Sequence, residues 1–323
     1  MQAVLFLPLF LFVAPVFAGN KGYKLDPGPF QVQTIEKVTL HDKERKKERI
    51  VRVYYPKGDG PFPVVVFSHG SGANLEAYAS VSRHWASHGY VTIHPQHADA
   101  RRTGDNGERP NLGGGGLRSL SSGLGDRVKD VAAVIDALDD LEKKVPDIKD
   151  KLDKKRIGVS GHSYGACVSM LIGGVTVEAN GKVQSYADPR VKCILLFSAA
   201  GTGEYGLTKD SWKKAEIPAF YVTGTRDIRP GHDAAWRKEP FDLSPPKDKY
   251  LFIIEGANHF SFGGGLARGG LLGRGDPYGP LVKASSLSFW DAYLKDAPKA
   301  KTFLKADGGL VEFAGDKAKF SAK

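Results

Sequence analysis

Cysteines and long apolar segments are both scarce in this sequence. Two cysteines among 323 residues cannot build a disulfide-rich scaffold, and without a Cys-x-x-Cys pair the usual ligands of a structural zinc site are missing. No tandem repeat is visible, which argues against a solenoid or a propeller. The one apolar run, at the start of the chain, is shorter than the ~20 residues of a membrane span. We therefore expect no stable membrane insertion.

The composition predicts a folded, basic protein. Hydrophobic residues make up 41% and charged residues 25%, enough to bury a large core, and 46 Lys and Arg against 36 Asp and Glu give a net charge of +10. The densest basic cluster, Lys43–Arg49, alternates with acids and is typical of a solvated hairpin tip. Because no nucleic-acid recognition motif accompanies the charge, we expect no nucleic-acid partner.

The first 18 residues carry no charged side chain. Leu5–Val13 is almost entirely Leu, Phe and Val, and small or moderate residues precede Gly19. This pattern predicts a signal peptide, residues 1–18, and a secreted or periplasmic mature protein. The alternative is a buried N-terminal core segment.

The order of apolar patterns predicts an α/β fold. Gln31–Leu40 and Arg49–Tyr55 alternate apolar and polar residues, as two antiparallel strands do. From Pro63 onward, short apolar runs alternate with helical patterns such as Arg127–Leu141. We expect a mostly parallel sheet of about eight strands, the first ones antiparallel, with helices on both faces. The catalytic domain is predicted over residues 19–297, and the Lys-rich tail, residues 298–323, as a loosely packed appendage.

One short motif carries the chemistry. Gly161-His162-Ser163-Tyr164-Gly165 is a Gly-x-Ser-x-Gly sequence between a predicted strand and a predicted helix. A sharp turn at that point exposes the hydroxyl of Ser163, and the two glycines allow the strand and helix to approach closely. Ser163 is therefore the predicted nucleophile.

A serine nucleophile needs a base and an orienting acid. His259 follows one predicted strand and Asp227 follows another, so both lie at the sheet edge where Ser163 emerges. The chain order Ser, Asp, His is the one expected when the nucleophile lies in a Gly-x-Ser-x-Gly turn between a strand and a helix. Asp233 and Glu255 are the rival acids.

The remaining site predictions concern the oxyanion and the substrate. The backbone amides of Tyr164, directly after the nucleophile, and of Ser71, in the loop Ser68-His69-Gly70-Ser71-Gly72, are the predicted oxyanion donors. Four side chains near the expected rim are candidate substrate contacts: Phe260, Phe262, Trp236 and His97. The mechanism requires neither a metal nor another cofactor.

With these motifs the chain resembles the α/β-hydrolase superfamily, and within it the dienelactone-hydrolase-like branch with platelet-activating-factor acetylhydrolases and bacterial polyester hydrolases. The matching segments span residues 62 to 262: Phe67–Gly72, Trp85–Val91, Gly161–Gly165, Gly224–Asp227 and Ala257–His259. The resemblance implies that the residue after His-Gly, here Ser71, supplies the second oxyanion amide. A true dienelactone hydrolase uses Cys where this chain has Ser163, which argues against dienelactone as the substrate.

Two further features lead to expectations. Glycines concentrate in residues 104–125 and 263–279, which we interpret as mobile loops that form or shield an acyl pocket. Cys167 and Cys193 are expected to be two buried thiols rather than a disulfide.

The sequence thus predicts an exported serine hydrolase acting on a small-molecule or polymeric carboxylic ester. A peptidase or a lipid acetylhydrolase would use the same triad, because acyl specificity depends on the pocket walls. The third hypothesis is a binding protein that has a hydrolase fold without turnover.

Overall fold

The computed structural model describes residues 22–100, 116–263 and 276–323, and for residues 116–122 it describes the backbone only. Its strands are β1 Val32–Asp42, β2 Lys47–Pro56, β3 Phe62–Ser68, β4 Val91–Pro95, β5 Leu152–His162, β6 Val177–Ala179, β7 Lys182–Gln184, β8 Val191–Phe197, β9 Ala219–Arg226, β10 Lys249–Asn258 and β11 Ala318–Ala322. Nine of them form the main sheet in the order β1-β2-β4-β3-β5-β8-β9-β10-β11, and β6 and β7 form a separate hairpin.

Strand directions follow the predicted pattern. β1 pairs antiparallel with β2, and β2 pairs antiparallel with β4. From β4 through β3, β5, β8 and β9 to β10, every neighbouring pair is parallel. The carboxyl ends of β3, β5, β9 and β10 therefore meet at one edge of the sheet. The expected α/β-hydrolase fold with antiparallel first strands is confirmed.

Helices cover both faces of the sheet, as parallel strands buried on two sides require. The helices are α1 Ala79–Ser87, α2 Gly116–Asp136, α3 Leu138–Lys144, α4 Tyr164–Ile172, α5 Glu239–Leu243, α6 Gly279–Leu294, α7 Pro298–Phe303 and α8 Gly309–Ala314. Helices α2, α3 and α4 pack on one face through residues such as Val131, Leu141 and Leu171. Helices α1 and α6 pack on the other, where the Trp85 and Trp290 rings meet edge to face at 5.6 Å.

Part of the first glycine-rich segment is helical, contrary to expectation. The predicted helix begins at Arg127, whereas α2 begins at Gly116 and includes Gly123 and Gly125. Glycine weakens a helix interior by about 1 kcal/mol, but Leu124 and Val128 lie in the core and tertiary packing outweighs that cost. Residues 104–115 of this segment, and 264–275 of the second, lie outside the described residues.

The prediction of a loosely packed tail is wrong, because residues 298–323 pack as part of the domain. The tail forms α7, α8 and β11, and β11 pairs with β10 from Tyr250↔Ala322 to Ile254↔Ala318. Its Phe320 ring lies 6.0 Å from the Tyr250 ring and 6.1 Å from the Phe220 ring. The tail thus covers an edge of the sheet that would otherwise expose unpaired backbone groups.

Replacing Phe320 with alanine is expected to destabilise the whole domain. The half-buried ring contributes about 2 kcal/mol, so the melting temperature should fall by about 4 °C. Thermal unfolding followed by circular dichroism measures this. Lys319→Ala, an exposed position on the same strand, is the matched control and should leave the melting temperature unchanged. Equal melting temperatures for the two variants would contradict the packing described.

Cys167 and Cys193 are both buried and free, as expected. Burial raises the pKa of the Cys167 thiol to about 11, so it stays protonated at neutral pH. No helix within the described ranges is long and apolar enough to cross a membrane. The predicted signal peptide, residues 1–18, lies outside those ranges.

Candidate active site

Ser163 lies in the sharp turn between β5 and α4. Its backbone has φ 54° and ψ −115°, a region that costs a non-glycine residue about 1–3 kcal/mol. The flanking glycines explain how the turn fits. A Cβ on Gly161 would overlap the backbone of Gly165, and a Cβ on Gly165 would overlap the carbonyl group of Ser68. Only glycine at both positions lets β5, α4 and the end of β3 come this close.

The structure brings together the three residues predicted as a triad. His259 Nε2 lies 3.0 Å from Ser163 Oγ, and His259 Nδ1 lies 2.9 Å from Asp227 Oδ1. Because a carboxylate can only accept, Nδ1 carries the proton and Nε2 is free to accept the Ser163 hydrogen. This is the arrangement in which a histidine can act as a general base on a serine.

Asp227 is completely buried and is held from several sides. Thr223 Oγ1 donates to its Oδ2 at 2.9 Å, and Arg237 Nε lies 3.3 Å from its Oδ1. Burial by itself raises the pKa of Asp227, but the hydrogen bond from His259 and the Arg237 charge outweigh it, so the pKa lies below its usual value. The ionised carboxylate thus stabilises the fold at neutral pH, and that contribution is lost as pH falls through the lowered pKa.

His162, the residue before Ser163, supports the His259 backbone. Its Nε2 donates to the His259 carbonyl oxygen at 2.8 Å, and the two rings lie 4.7 Å apart. Burial and the nearby His259 lower the pKa of His162 to about 3. A neutral His162 keeps this contact without placing a second positive charge beside His259.

The segment Ser68–Gly72 after β3 contains the predicted donor Ser71, and we call it the oxyanion loop. It lies directly against the turn at Ser163, the predicted nucleophile, which we call the nucleophile turn. A Cβ on Gly165 would come 2.7 Å from the His69 carbonyl oxygen, and one on Gly70 would come 3.0 Å from His162 Nδ1. Ala73 N–H donates to Gly70 O at 3.1 Å, and Gly72 has φ +65°. This is the geometry of a turn with glycine at its third position. Ser71 and Tyr164, the predicted amide donors, therefore lie on two segments in contact.

The predicted substrate contacts divide into two groups. Phe260 is 60% exposed, with its ring 5.1 Å from the His259 ring. Trp236, Phe262 and His97 need correction, since all three are buried. Trp236 borders a shallow groove with His232 and Glu239, but its ring stacks on His232 at 4.1 Å and its Nε1 donates to Thr202 O. Phe262 packs in the core near Phe197.

His97 is oriented away from solvent by two hydrogen bonds. Its Nε2 lies 2.9 Å from Ser68 Oγ and its Nδ1 lies 2.9 Å from Asp130 Oδ2. Burial and nearby arginines lower the pKa of His97 well below its usual value. It is therefore a buried support of the oxyanion loop rather than a surface for substrate.

The two rival acids have other roles. Asp233 Oδ1 accepts from Trp236 N–H at 3.1 Å and so caps the short 3₁₀ helix 234–238. Glu255 Oε1 accepts from Thr225 Oγ1 at 3.1 Å, on an exposed part of β10. Within the part of the chain that the structure describes, no group of histidine, cysteine and acidic side chains is arranged to hold a metal ion.

Sequence reasoning missed two buried arginines at this site, Arg127 and Arg237. Arg237 Nη1 donates to the carbonyl oxygens of Ser198 and Ala199, beside its contact with Asp227. Arg127 contacts the oxyanion loop. One signal was present for Arg127, since it follows Leu124 by three residues and precedes Val131 by four, on the apolar face of α2. Nothing local distinguishes Arg237.

The chain is similar to two groups of known proteins. A family model described as chlorophyllase matches residues 22–109, which include the oxyanion loop and precede Ser163, Asp227 and His259. Three curated relatives, all platelet-activating factor acetylhydrolases, match a longer part of the chain. The identity is 23% over 231 residues for the Bos taurus protein, 24% over 239 for that of Canis lupus familiaris and 23% over 279 for that of Cavia porcellus.

The coverage of these matches is partial on both sides. The alignments cover 62%, 62% and 72% of this chain, and 48%, 48% and 58% of the respective relatives. The chain thus spans about half the length of the curated relatives it matches. The matched families are of the α/β-hydrolase type, so the resemblance inferred from the motifs is confirmed.

Proposed function

We propose that this α/β-hydrolase is a serine hydrolase that cleaves carboxylic esters through an acyl-enzyme. The observation that carries the proposal is the hydrogen-bonded chain Ser163–His259–Asp227, built on three strand ends at one sheet edge. The similarity to proteins named platelet-activating factor acetylhydrolase supports the same conclusion. A binding protein without turnover would have no need for a strained serine in contact with an oriented histidine.

Each of the site residues acts at a definite step of ester hydrolysis. Ser163 Oγ attacks the ester carbonyl while His259 Nε2 takes its proton, and Asp227 holds the imidazole and stabilises the imidazolium. The backbone amides of Tyr164 and Ser71 stabilise the oxyanion of the tetrahedral intermediate. His259 then protonates the leaving alcohol and activates the water that hydrolyses the acyl-enzyme. These steps need no metal and no organic cofactor.

A panel of substrates tests the reaction class. We expect hydrolysis of p-nitrophenyl esters and stoichiometric labelling of Ser163 by a fluorophosphonate. Aminoacyl p-nitroanilides should react far more slowly, and faster hydrolysis of these amides would favour a peptidase instead. A complete lack of both turnover and labelling would favour the binding protein.

A lipid acetylhydrolase is the second candidate. It is favoured by the similarity to proteins named platelet-activating factor acetylhydrolase. Comparing a phospholipid that carries an acetyl ester with p-nitrophenyl acetate distinguishes it from a general esterase. A kcat/KM much higher for the phospholipid supports the lipid acetylhydrolase.

Two exposed apolar side chains flank the triad and are proposed to contact the substrate. Phe260 follows His259 and Ile228 follows Asp227, and they are 60% and 66% exposed. Large apolar side chains so exposed at a reaction centre are typical of surfaces that bind apolar groups. Together they favour an ester with an apolar acyl or alcohol part.

Phe260→Ser is expected to change chain-length preference. Loss of about 1.4 kcal/mol of apolar contact should raise KM about tenfold for p-nitrophenyl hexanoate and leave the acetate nearly unchanged. Val183→Ser is the matched control, because Val183 is 68% exposed on the separate β6–β7 hairpin. If both variants keep the wild-type profile across the ester series, Phe260 does not contact the acyl chain.

Export is proposed on the composition of residues 1–18. N-terminal sequencing of the protein secreted from its own cells tests it directly, and we expect the mature chain to begin at Gly19. Recovery of an intact N-terminus from the cell interior would contradict export.

A further inference from the structure

Arg127 is a buried cation between the two segments that carry the predicted oxyanion amides. It is 3% exposed, and its guanidinium carbon lies 4.7 Å from the centre of the Tyr164 ring. From the same position Nη1 donates to the His69 carbonyl oxygen, and Nη2 and Nε donate to Asp99 at 2.6 and 2.9 Å. A single side chain thus contacts the residue after the nucleophile and the oxyanion loop.

Arg127 and Asp99 hold the oxyanion loop at both ends. Arg127 binds the His69 carbonyl oxygen at one end, and Asp99 Oδ2 accepts from Gly72 N–H at 3.2 Å at the other. The planar guanidinium binds both carboxylate oxygens of Asp99, at 2.6 Å each, so the pair is geometrically fixed. The turn between His69 and Gly72, which contains Ser71, cannot reorient without breaking one of these contacts.

The direction of the Ser71 amide follows from the carbonyl before it. Gly70 O accepts from His69 Nδ1 at 2.8 Å, from Ala73 N–H at 3.1 Å and from Arg127 Nη2 at 3.4 Å. In a trans peptide the N–H points opposite to the C=O. Donors gathered on Gly70 O therefore fix the Ser71 N–H on the other side of the peptide plane.

A second contact from the same helix supports the loop one turn later. Asp130 follows Arg127 by three residues on α2 and accepts from His97 Nδ1, so that His97 Nε2 accepts from the Ser68 hydroxyl. His97 N–H in turn donates to His69 Nε2 at 3.4 Å. Helix α2 thus holds the loop at two points, one of them through a charge pair.

We propose that Arg127, with Asp99, is a positioning residue that sets the oxyanion hole by fixing the oxyanion loop against the nucleophile turn. The inference rests on the proposed ester hydrolysis. It assigns to Arg127 no contact with substrate, and it predicts an effect on transition-state stabilisation rather than on substrate binding.

The test is Arg127→Met, with Asp99→Asn as a second variant in case the first fails to fold. We expect kcat for p-nitrophenyl butyrate to fall about 10²–10³-fold, as when one oxyanion donor is lost, with KM changed less than threefold. The affinity of an alkyl trifluoromethyl ketone, whose adduct carries the oxyanion, should fall in parallel with kcat. Arg127→Lys keeps the charge without the planar fork and should recover only part of kcat.

Rates are divided by the concentration of active sites, which is measured by titration to completion with a fluorophosphonate, so that misfolded protein is not counted. Arg190→Met is the matched control and should keep wild-type kcat, because Arg190 binds Asp188 and, at the far end of α2, Asp136. The proposal is overturned by wild-type kcat in both titrated variants, by a change in KM alone, or by a lower kcat with unchanged ketone affinity. A failure of the proposed function is distinguishable from a failure of this proposal, because the wild-type protein would then show neither turnover nor labelling.

Discussion

Replacing Ser163 with alanine is expected to lower kcat for p-nitrophenyl butyrate by about 10⁶-fold, the loss typical of a serine hydrolase without its nucleophile. Within the described ranges, Ser163 supplies the only hydroxyl within hydrogen-bond distance of His259 Nε2, so the acylation step has no substitute nucleophile. Hydrolysis about 10³-fold above the uncatalysed rate should remain, from the oxyanion hole and binding. Steady-state kinetics with protein free of wild-type contamination measures it.

The fold should survive this change. The Ser163 side chain is only partly buried and its hydroxyl hydrogen-bonds to His259, so the melting temperature should change little. Ser169→Ala is the matched control, since Ser169 lies on α4 and its hydroxyl donates only to Gly165 O. It should keep wild-type kcat and full fluorophosphonate labelling. Turnover near wild type in Ser163→Ala would eliminate the proposed mechanism.

Replacing Asp227 with asparagine is expected to lower kcat by about 10⁴-fold. The asparagine amide can donate a hydrogen bond to His259 Nδ1. This favours the imidazole tautomer that carries its proton on Nε2, and a protonated Nε2 cannot accept the Ser163 hydrogen. The stability should fall as well, because Arg237 keeps its buried charge and loses its ionised partner. Rates must therefore be divided by the concentration of active sites titrated with a fluorophosphonate.

Asp233→Asn separates this prediction from its rival. Asp233 caps a short 3₁₀ helix, and asparagine is an equally good cap, so both stability and kcat should stay near wild type. If Asp233→Asn abolished turnover and Asp227→Asn did not, the acid of the triad would be misassigned.

Much of the site could be predicted because its parts are local in the sequence. Gly161 and Gly165 flank Ser163 within one strand–helix turn, and a turn this tight demands those residue types. Asp227 and His259 are far from Ser163 along the chain, but each follows a buried strand. Parallel strands align their carboxyl ends, so the pattern of strands alone placed the three at one edge.

Burial could not be predicted in the same way. Phe260 and Phe262 are two residues apart in one segment, yet Phe260 is 60% exposed and Phe262 is fully buried against Phe197. Which side chain faces the core depends on the path of the chain after β10. His97 likewise has a plausible position at the rim, but its partners Ser68 and Asp130 come from two other elements.

The sequence by itself determined the α/β architecture, the sharp turn at Ser163 and the meeting of Ser163, Asp227 and His259 at one sheet edge, because apolar periodicity and glycine spacing act over a few neighbouring residues. Only the tertiary structure decided that the tail supplies the ninth strand, that His97 is buried, and that Arg127 and Arg237 lie against the loops of the site. The physical reason is that a buried charge needs partners to offset its desolvation. Those partners, Asp99 for Arg127 and Asp227 for Arg237, are brought near by the fold, the first from 28 residues away.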